Sequence, residues 1–298
     1  MKHISSSIIV CFVAIAALAH NKAQMNRLFL ILMTAFICFI SMAKNAEIKV
    51  EYTYTVRGNS DSRILRAGQT HSKYYDPQSE WYDSIRSTPE GMAHWKEMFQ
   101  AEGEYIRSQG GFAEVGMSVT YPGRGLYVVK NDSSMILYDK VNVDKYYYEE
   151  PRTTINWKID DDIKNILGYD CVKATGKYHG RKWEAWFTPD IPISDGPWKL
   201  CGLPGLILYA KDKSGEFIFE ATGIEKDNSP LTPVYGMDTY EKIKRRDLLK
   251  AQRNHADNPL GSYAASSGSN LSLPAGINFG TSEKTNGKPK NDFIETDY

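Results

Sequence analysis

The chain has 298 residues and a formal net charge of zero, with 36 basic and 36 acidic side chains. This balance argues against a general nucleic-acid-binding protein, which needs a basic face to displace counterions. Aromatic residues make up 12% of the chain and tyrosine is the commonest of them, which favours β-structure over a helical bundle.

The first 43 residues have the pattern of export signals. Two apolar runs, residues 4–19 and 28–42, each follow a basic residue and end in small residues. Each run is shorter than a comfortable membrane span. The simplest interpretation is that translation starts at Met25 and that one signal peptide is removed, which leaves a mature chain beginning near Lys44 in the periplasm or cell envelope. This mature form would not span the membrane, whereas the alternative interpretation is a membrane hairpin anchor.

The first two elements of the mature chain are predicted to be strands. Apolar residues alternate with polar ones in EIKVEYTYTV, from Ile48 to Val56, as in a strand with one buried face. The segment THSKYYDPQSEWYDS predicts a second strand, which is interrupted at Asp76 and Pro77.

A helical insert is predicted at about residues 88–108. Ser87 and Glu90 form a capping box around Pro89, which occupies the first helical position. Apolar residues then recur at helical spacing until the glycine pair at residues 110–111.

The region from residue 112 to residue 222 predicts an antiparallel meander, because strand-like runs follow one another with short polar or glycine turns between them. EVGMSVTY is the first of these runs, and His179 with Gly180 predicts a two-residue hairpin loop further along. The sequence thus divides into an antiparallel β domain at residues 44–233, a basic helix at 234–256 and a polar, flexible tail at 257–298. The end of that tail, NDFIETDY, is apolar enough to pack back on the domain.

Cys171 and Cys201 are the two cysteines that remain after the signal segment. In an oxidising compartment such a pair favours a disulfide, and the loop it closes would stabilise the fold by roughly 3–4 kcal/mol. The alternative is two buried free thiols, since cysteine packs as a small hydrophobic residue. A metal site is not expected, because no second cysteine or histidine lies at ligand spacing.

No familiar catalytic motif occurs in the sequence, so we assign no catalytic residue, no metal and no cofactor. Asp160, Asp161 and Asp162 lack the alternate spacing of a calcium loop and predict a turn instead. The aromatic residues of the meander have two interpretations, a sheet core or an apolar groove for a hydrophobic ligand. The residues of this candidate groove are Trp157, Trp183, Trp186, Phe187 and Trp198, with Trp183 and Trp186 on opposite faces of one strand.

A long stretch of the meander, ILGYDCVKATGKYHGRKWEAWFTPDIPISDGPWKLCGLPGLIL, ends in a glycine-rich hexapeptide made of Gly202, Leu203, Pro204, Gly205, Leu206 and Ile207. It resembles the signature region of the GLPGLI family, which consists of exported proteins of Gram-negative bacteria. The resemblance implies an envelope protein, and family members are often associated by genome context with outer-membrane transporters. Their function is not established, so the resemblance carries over no catalytic residue. The meander is also similar, more remotely, to the half-barrel carriers that hold lipoprotein acyl chains in the periplasm.

The hexapeptide itself reads as a structural corner. Pro204 and Gly205 suit the two central positions of a type II turn with a trans peptide bond before the proline, because the second position needs a positive φ. The apolar residues Leu206, Ile207 and Leu208 then predict a strand that is buried on both faces.

These patterns together predict a mainly β fold with α-helices, in which a curved antiparallel sheet forms an open half-barrel covered by helices. The leading functional hypothesis is a non-catalytic, chaperone-like periplasmic protein that binds an apolar ligand, a lipidated protein or a peptide. One alternative is an accessory interaction protein of an outer-membrane transporter, with the basic helix and polar tail as its contact surface. Another is a hydrolase whose active-site residues are dispersed along the chain.

Overall fold

The computed structural model describes residues 45–108, 125–152, 155–258 and 293–297. The export segment at residues 1–43 and the strand predicted at residues 114–121 lie outside the described residues. The described strands are β1 (Ile48–Val56), β2 (Asn59–Ala67), β3 (Ser72–Tyr75), β4 (Tyr127–Lys130), β5 (Ser134–Val141), β6 (Asp144–Pro151), β7 (Lys158–Ile166), β8 (Tyr169–Tyr178), β9 (Arg181–Thr188), β10 (Leu206–Asp212), β11 (Phe217–Lys226) and β12 (Glu241–Lys242). The described α-helices are α1 (Pro77–Arg86), α2 (Pro89–Ser108) and α3 (Arg245–Asp257).

All the described strands belong to one open sheet of 12 strands, in the order β12-β6-β5-β4-β3-β2-β1-β11-β10-β9-β8-β7. Neighbouring strands are antiparallel except for β12, which pairs in parallel with β6. The predicted mainly β fold, with an open sheet and helices, is therefore confirmed, and the sheet is mixed rather than purely antiparallel.

The hairpin of β1 and β2 lies at the centre of the sheet. Val50, Tyr52 and Tyr54 are the buried side chains of β1, as the alternating pattern predicts. The sequence pattern did not predict β2, because its buried side chains begin with Arg63 and its first four residues are polar and exposed. A charged residue on a buried face hides the period of two by which a strand is recognised.

The segment after β3 corrects the prediction of a second interrupted strand. Helix α1 begins at Pro77, and Asp76 Oδ1 accepts hydrogen bonds from the backbone N–H groups of Gln78 at 2.8 Å and Ser79 at 3.1 Å. Asp followed by Pro is thus a helix N-cap and first helical residue here, not a break within a strand. The cap of α2 is Thr88 rather than Ser87, since Thr88 Oγ1 accepts a hydrogen bond from Gly91 N at 3.1 Å.

The basic helix that the sequence predicts at residues 234–256 begins later in the structure. Instead of starting at residue 234, α3 starts at Arg245, because Glu241 and Lys242 pair with β6 and hold the backbone extended. Leu248 and Leu249 are its buried residues, and Leu248 joins the main hydrophobic core of the sheet. Within the described part of the chain, no helix is both long enough and apolar enough to cross a membrane.

Two turns of the meander were predicted with different success. His179 and Gly180 join β8 to β9 with φ angles of 47° and 81°, the positive values of a two-residue type I′ hairpin loop. In contrast, Asp160, Asp161 and Asp162 do not form a turn but lie inside β7, where the pairing with β8 is irregular between Ile159 and Ile163. The extra residues of this bulge are solvent-facing, which explains why three acidic residues fit in a strand.

The hexapeptide is a structural corner, although its turn differs from the predicted type. Gly205 N donates to Leu203 O at 2.8 Å across Pro204, so the turn spans three residues, and the chain contains no cis bond among the described residues. A Cβ atom at Gly205 would lie 2.1 Å from Thr188 O, and φ at Gly205 is +154°. Close approach to the end of β9 therefore requires the glycine. The residues that follow, Leu206 to Leu208, are fully buried, as the prediction of a strand buried on both faces demands.

Cys171 and Cys201 are both buried free thiols in this structure, in agreement with the alternative to a disulfide. Cys171 lies on β8, where its Sγ is 3.6 Å from Tyr169 O. Burial raises the pKa of the Cys171 thiol to about 11 and raises that of Cys201, so both stay protonated at neutral pH. Each cysteine acts as a small hydrophobic residue in the core.

Candidate functional site

A cavity of about 390 Å³ lies between one face of the sheet and a cover made of α3 and residues 293–297. Most of its lining is aliphatic or aromatic, which suits a molecule with an apolar body. Its floor on the sheet includes Tyr54, Val56, Arg63, Tyr74, Leu126, Leu137, Val141, Tyr148, Phe217 and Phe219, and its cover includes Leu248, Leu249, Gln252, His255, Ile294 and Glu295.

The floor is polar where β1, β2 and β3 meet, and also at Asp139 and Lys140 of β5. Strand pairing sets Arg63 opposite Tyr52 and sets Tyr74 opposite Leu65, so that Arg63 and Tyr74 are on neighbouring strands of one face. The Arg63 guanidinium lies 5.5 Å from the centre of the Tyr54 ring, within reach of a cation–π interaction. It also forms an ion pair with Asp76 at 3.1 Å, which is the residue that caps α1.

Among the lining residues, Arg63 Nε, Tyr74 OH and His255 Nδ1 are buried polar atoms that have no hydrogen-bond partner among the described residues. Burial raises the pKa of Tyr74 well above its usual value, so its hydroxyl keeps its proton and remains a donor. Buried polar groups in folded proteins are nearly always hydrogen-bonded. Polar groups on both the floor and the cover therefore have hydrogen-bonding capacity that the described protein groups do not use.

A network of charged residues closes one end of the cavity, and we call it the Lys199 cluster. Lys199 is fully buried, and its Nζ lies 2.8 Å from Glu150 Oε1 and 2.6 Å from Glu295 Oε1. Lys199 Nζ also donates to Tyr148 OH at 2.6 Å. Because Tyr148 and Glu295 line the cavity, the cluster forms part of its wall. The cluster consists of Tyr148, Glu150, His179, Lys199, Arg245, Glu295 and Asp297.

The same cluster fastens residues 293–297 to the sheet. Arg245 of α3 forms ion pairs with both Glu295 and Asp297, and Asp297 Oδ2 lies 3.2 Å from His179 Nδ1. Backbone groups add to this attachment, since Thr296 N donates to His179 O at 3.0 Å. Arg181 donates to the carbonyl groups of residues 293 and 294 as well. The apolar end of the tail thus packs back on the domain, as its composition predicts.

The carboxylates of the Lys199 cluster are ionised. Burial by itself would raise the pKa of Glu150, but the His179 hydrogen bond and the Lys199 charge outweigh it and lower the pKa to about 2. Burial is likewise outweighed at Glu295, whose pKa is lowered by the charges of Lys199, His179 and Arg245. An ionised and fully paired carboxylate cannot donate a proton near neutral pH. The cluster is therefore suited to holding the cover in place.

Three members of the cluster could hold a metal ion as far as distances are concerned. The ligand atoms of His179, Glu295 and Asp297 lie within 4.8 Å of one another. Both carboxylates already accept hydrogen bonds from Arg245, and Glu295 also contacts Lys199. A cation there would compete with two cationic side chains, so the arrangement favours the ion pairs.

The five aromatic residues of the predicted groove do not form one groove, and only Trp198 lines this cavity. Trp183 and Phe187 are buried in the core, with the Trp183 ring 5.8 Å from that of Trp198. Trp186 lies on the opposite face of β9 from Trp183, as predicted. The remaining residue, Trp157, donates from Nε1 to Cys201 O at 2.9 Å and so supports the corner of the hexapeptide.

Sequence reasoning missed the residues that are most distinctive in the structure. Arg63 and Tyr74 come from consecutive strands, Lys199 and Glu295 come from two distant parts of the chain, and none belongs to a spaced motif. One available signal was the charged Lys199 inside the apolar run GPWKLCGLPGLIL, since a lone lysine among core residues needs a buried partner.

Comparison with known proteins gives a short family match. The model of a family described as "Protein of unknown function (Porph_ging)" matches residues 179–209, which include His179, Lys199 and the hexapeptide. This match is consistent with the GLPGLI-type resemblance over that stretch. No curated protein matches the chain.

Two solved structures of PNGF-II, in space groups C2 and P21, are similar to this chain at 13% sequence identity, with TM-scores of 0.46 and 0.44. Each match covers 70% of this chain and 33% of the PNGF-II chain. The chain therefore spans about a third of the length of the solved structures it matches.

Proposed function

We propose that the protein binds a small, largely apolar molecule in the cavity between the sheet and α3, without catalysing a reaction on it. The observation that carries this proposal is the cavity of about 390 Å³ with an aliphatic and aromatic lining. Its size lies within the range of roughly 300–1,000 Å³ that is usual for ligand pockets.

The attachment of the cover supports the proposal. Ion pairs with Lys199 and Arg245 hold Glu295 against the sheet. The buried side chains of Leu248 and Leu249 hold α3 in place. A protein whose binding cavity is already formed loses less conformational entropy on binding a ligand than one whose cavity must first become ordered.

The proposal is tested with 1-N-phenylnaphthylamine, an apolar dye whose fluorescence rises in a nonpolar environment. We expect saturable binding to the wild type and binding at least about tenfold weaker for Val141→Phe, because the larger side chain occupies part of the cavity. The matched control is Ile224→Phe, a partly buried position that packs against the core but does not line the cavity. Equal dye affinity for wild type and Val141→Phe, with both folded, would contradict the proposal.

We also propose that binding takes place in the periplasm or cell envelope, after removal of the segment before about Lys44. The support is the signal-like pattern of residues 1–43. N-terminal sequencing of the protein from fractionated cells should find a start near Lys44 in the periplasmic fraction, and a chain retained at Met1 in the cytoplasm would contradict this location. An accessory role at an outer-membrane transporter and a hydrolase activity stay predictions.

A further inference from the structure

We infer that the ligand of the cavity carries a hydrogen-bond-accepting oxygen, which Arg63 and Tyr74 bind at the floor of the sheet. This inference rests on the proposed function, because it names the chemical class of the molecule that the cavity would hold. The two residues would act as donors to a carbonyl, ester or carboxylate oxygen at one end of an apolar body.

One nitrogen of the Arg63 guanidinium, Nε, has no hydrogen-bond partner among the described residues. The side chain is 1% exposed. Its terminal nitrogens are used within the protein, since Nη1 donates to Ser62 O at 2.7 Å and to Asp76 at 3.1 Å, and Nη2 faces Asp61 at 3.4 Å. The ion pairs fix the guanidinium, so the Nε–H is a preoriented donor.

Tyr74 supplies a second donor close by. Its side chain is also 1% exposed, and its hydroxyl has no partner among the residues described. Tyr74 is paired with Leu65, two residues from Arg63 on β2, so the two side chains lie diagonally across neighbouring strands on one face of the sheet. Two neighbouring buried donors with no acceptor favour an oxygen atom arriving from outside the chain.

The charges nearby favour an acceptor over a cation. Arg63 is balanced by Asp61 and Asp76, so this part of the floor does not demand an anion and a neutral oxygen satisfies it. An ammonium group would instead face the Arg63 guanidinium, which has no acceptor atom and repels a second positive charge. On the cover, His255 also lines the cavity, and its Nδ1 is unpartnered among the described residues, which gives a polar head group a contact on the opposite wall.

The test compares three molecules that share one tail and differ in the head group: dodecanoic acid, methyl dodecanoate and dodecylamine. Isothermal titration calorimetry with the wild type should show the acid and the ester binding at least about tenfold more tightly than the amine. Tyr74→Phe keeps the ring and removes the donor, so it should weaken the acid and the ester by about tenfold and leave the amine unchanged, since one hydrogen bond corresponds to roughly that factor.

Tyr240→Phe is the matched control. The Tyr240 hydroxyl is also buried and unpartnered among the described residues, but Tyr240 does not line the cavity, so its removal should change none of the three affinities. Arg63→Lys is a second variant that keeps a cation for Asp76 and removes Nε; circular dichroism confirms its fold, and we expect the same selective loss.

Each outcome separates this inference from the proposed function. Equal affinities of the acid, ester and amine for wild type would overturn the inference while leaving the cavity as an apolar site. No binding of any of the three, or equal binding by Val141→Phe, would remove the proposed function itself. A preference for the acid over the ester would assign a carboxylate ligand, and similar affinities for the two, both above that of the amine, would assign a neutral oxygen.

Discussion

The Lys199 cluster and the floor of the cavity are both buried polar regions, yet their groups are partnered to very different degrees. Lys199 contacts two carboxylates and one hydroxyl, and those carboxylates are bonded in turn to Arg245 or His179. On the floor, Arg63 Nε and Tyr74 OH lack partners among the described residues. The partnered region holds the cover on the sheet, whereas the ligand that we propose would use the unpartnered groups.

The largest effect is expected from Lys199→Met. The substitution leaves Glu150 and Glu295 buried beside each other without their central cation, so the free energy of unfolding should fall by about 3–5 kcal/mol. Urea denaturation followed by circular dichroism measures it. Lys211→Met is the control, because the Lys211 ion pair with Glu184 is 40% exposed on the lysine side and should change stability by less than about 1 kcal/mol. Similar losses for the two variants would show that the cluster is not structural.

The next largest effect is a pH dependence of the free energy of unfolding that Glu150 causes. Its pKa is lowered from 4.5 to about 2 in the folded protein, so its stabilising contribution is complete above pH 4.5 and is lost as the pH falls toward 2. The loss should amount to about 3 kcal/mol, measured as the free energy of unfolding across that range.

The Glu150→Gln variant should show a shallower loss of stability between pH 4.5 and 2. Glu149→Gln, at the exposed neighbouring position, should keep the wild-type curve. An unchanged curve in Glu150→Gln would mean that the ion pairs of Glu150 contribute nothing to stability.

The smallest effects come from two tyrosines, Tyr52 in the core and Tyr74 on the floor of the cavity. Tyr52 OH donates to Ile207 O at 2.6 Å, so Tyr52→Phe should cost about 1–3 kcal/mol by leaving a buried carbonyl unpaired. Tyr74→Phe removes a hydroxyl without a described partner and should leave stability within about 0.5 kcal/mol of wild type, or raise it. Thermal unfolding without ligand compares them, and a clear loss in Tyr74→Phe would show that its hydroxyl has a structural partner.

Local patterns predicted those parts of the fold in which neighbouring residues determine the structure. The alternation in β1 and the turn residues His179 and Gly180 act over a few positions, and both predictions are confirmed. At Asp76 and Pro77 the sequence permits either a strand break or a helix start, and in the structure the Asp76 side chain caps a helix.

The candidate site could not be predicted in this way, because its residues meet only through the order of the strands. Arg63 and Tyr74 share a cavity with α3 because that helix packs over the sheet beside β5 and β6. Gln252 of α3, for example, donates to Asp139 of β5 at 2.6 Å. An apolar groove was one of two interpretations of the aromatic residues, and the residues named for it are mostly core. A periodic pattern cannot distinguish a side chain that faces a cavity from one that faces another side chain.

The position of β1 between β2 and β11 has a consequence for how the chain folds. β2, its partner on one side, follows β1 directly in the chain. On the other side Tyr52 pairs with Ala221 of β11, which is synthesised only after most of the sheet. Such a topology has a high contact order, which slows folding. Until β11 arrives, β1 presents an unpaired edge of the kind that recruits other chains. We therefore expect slow refolding at high dilution and growing loss to aggregation as protein concentration rises.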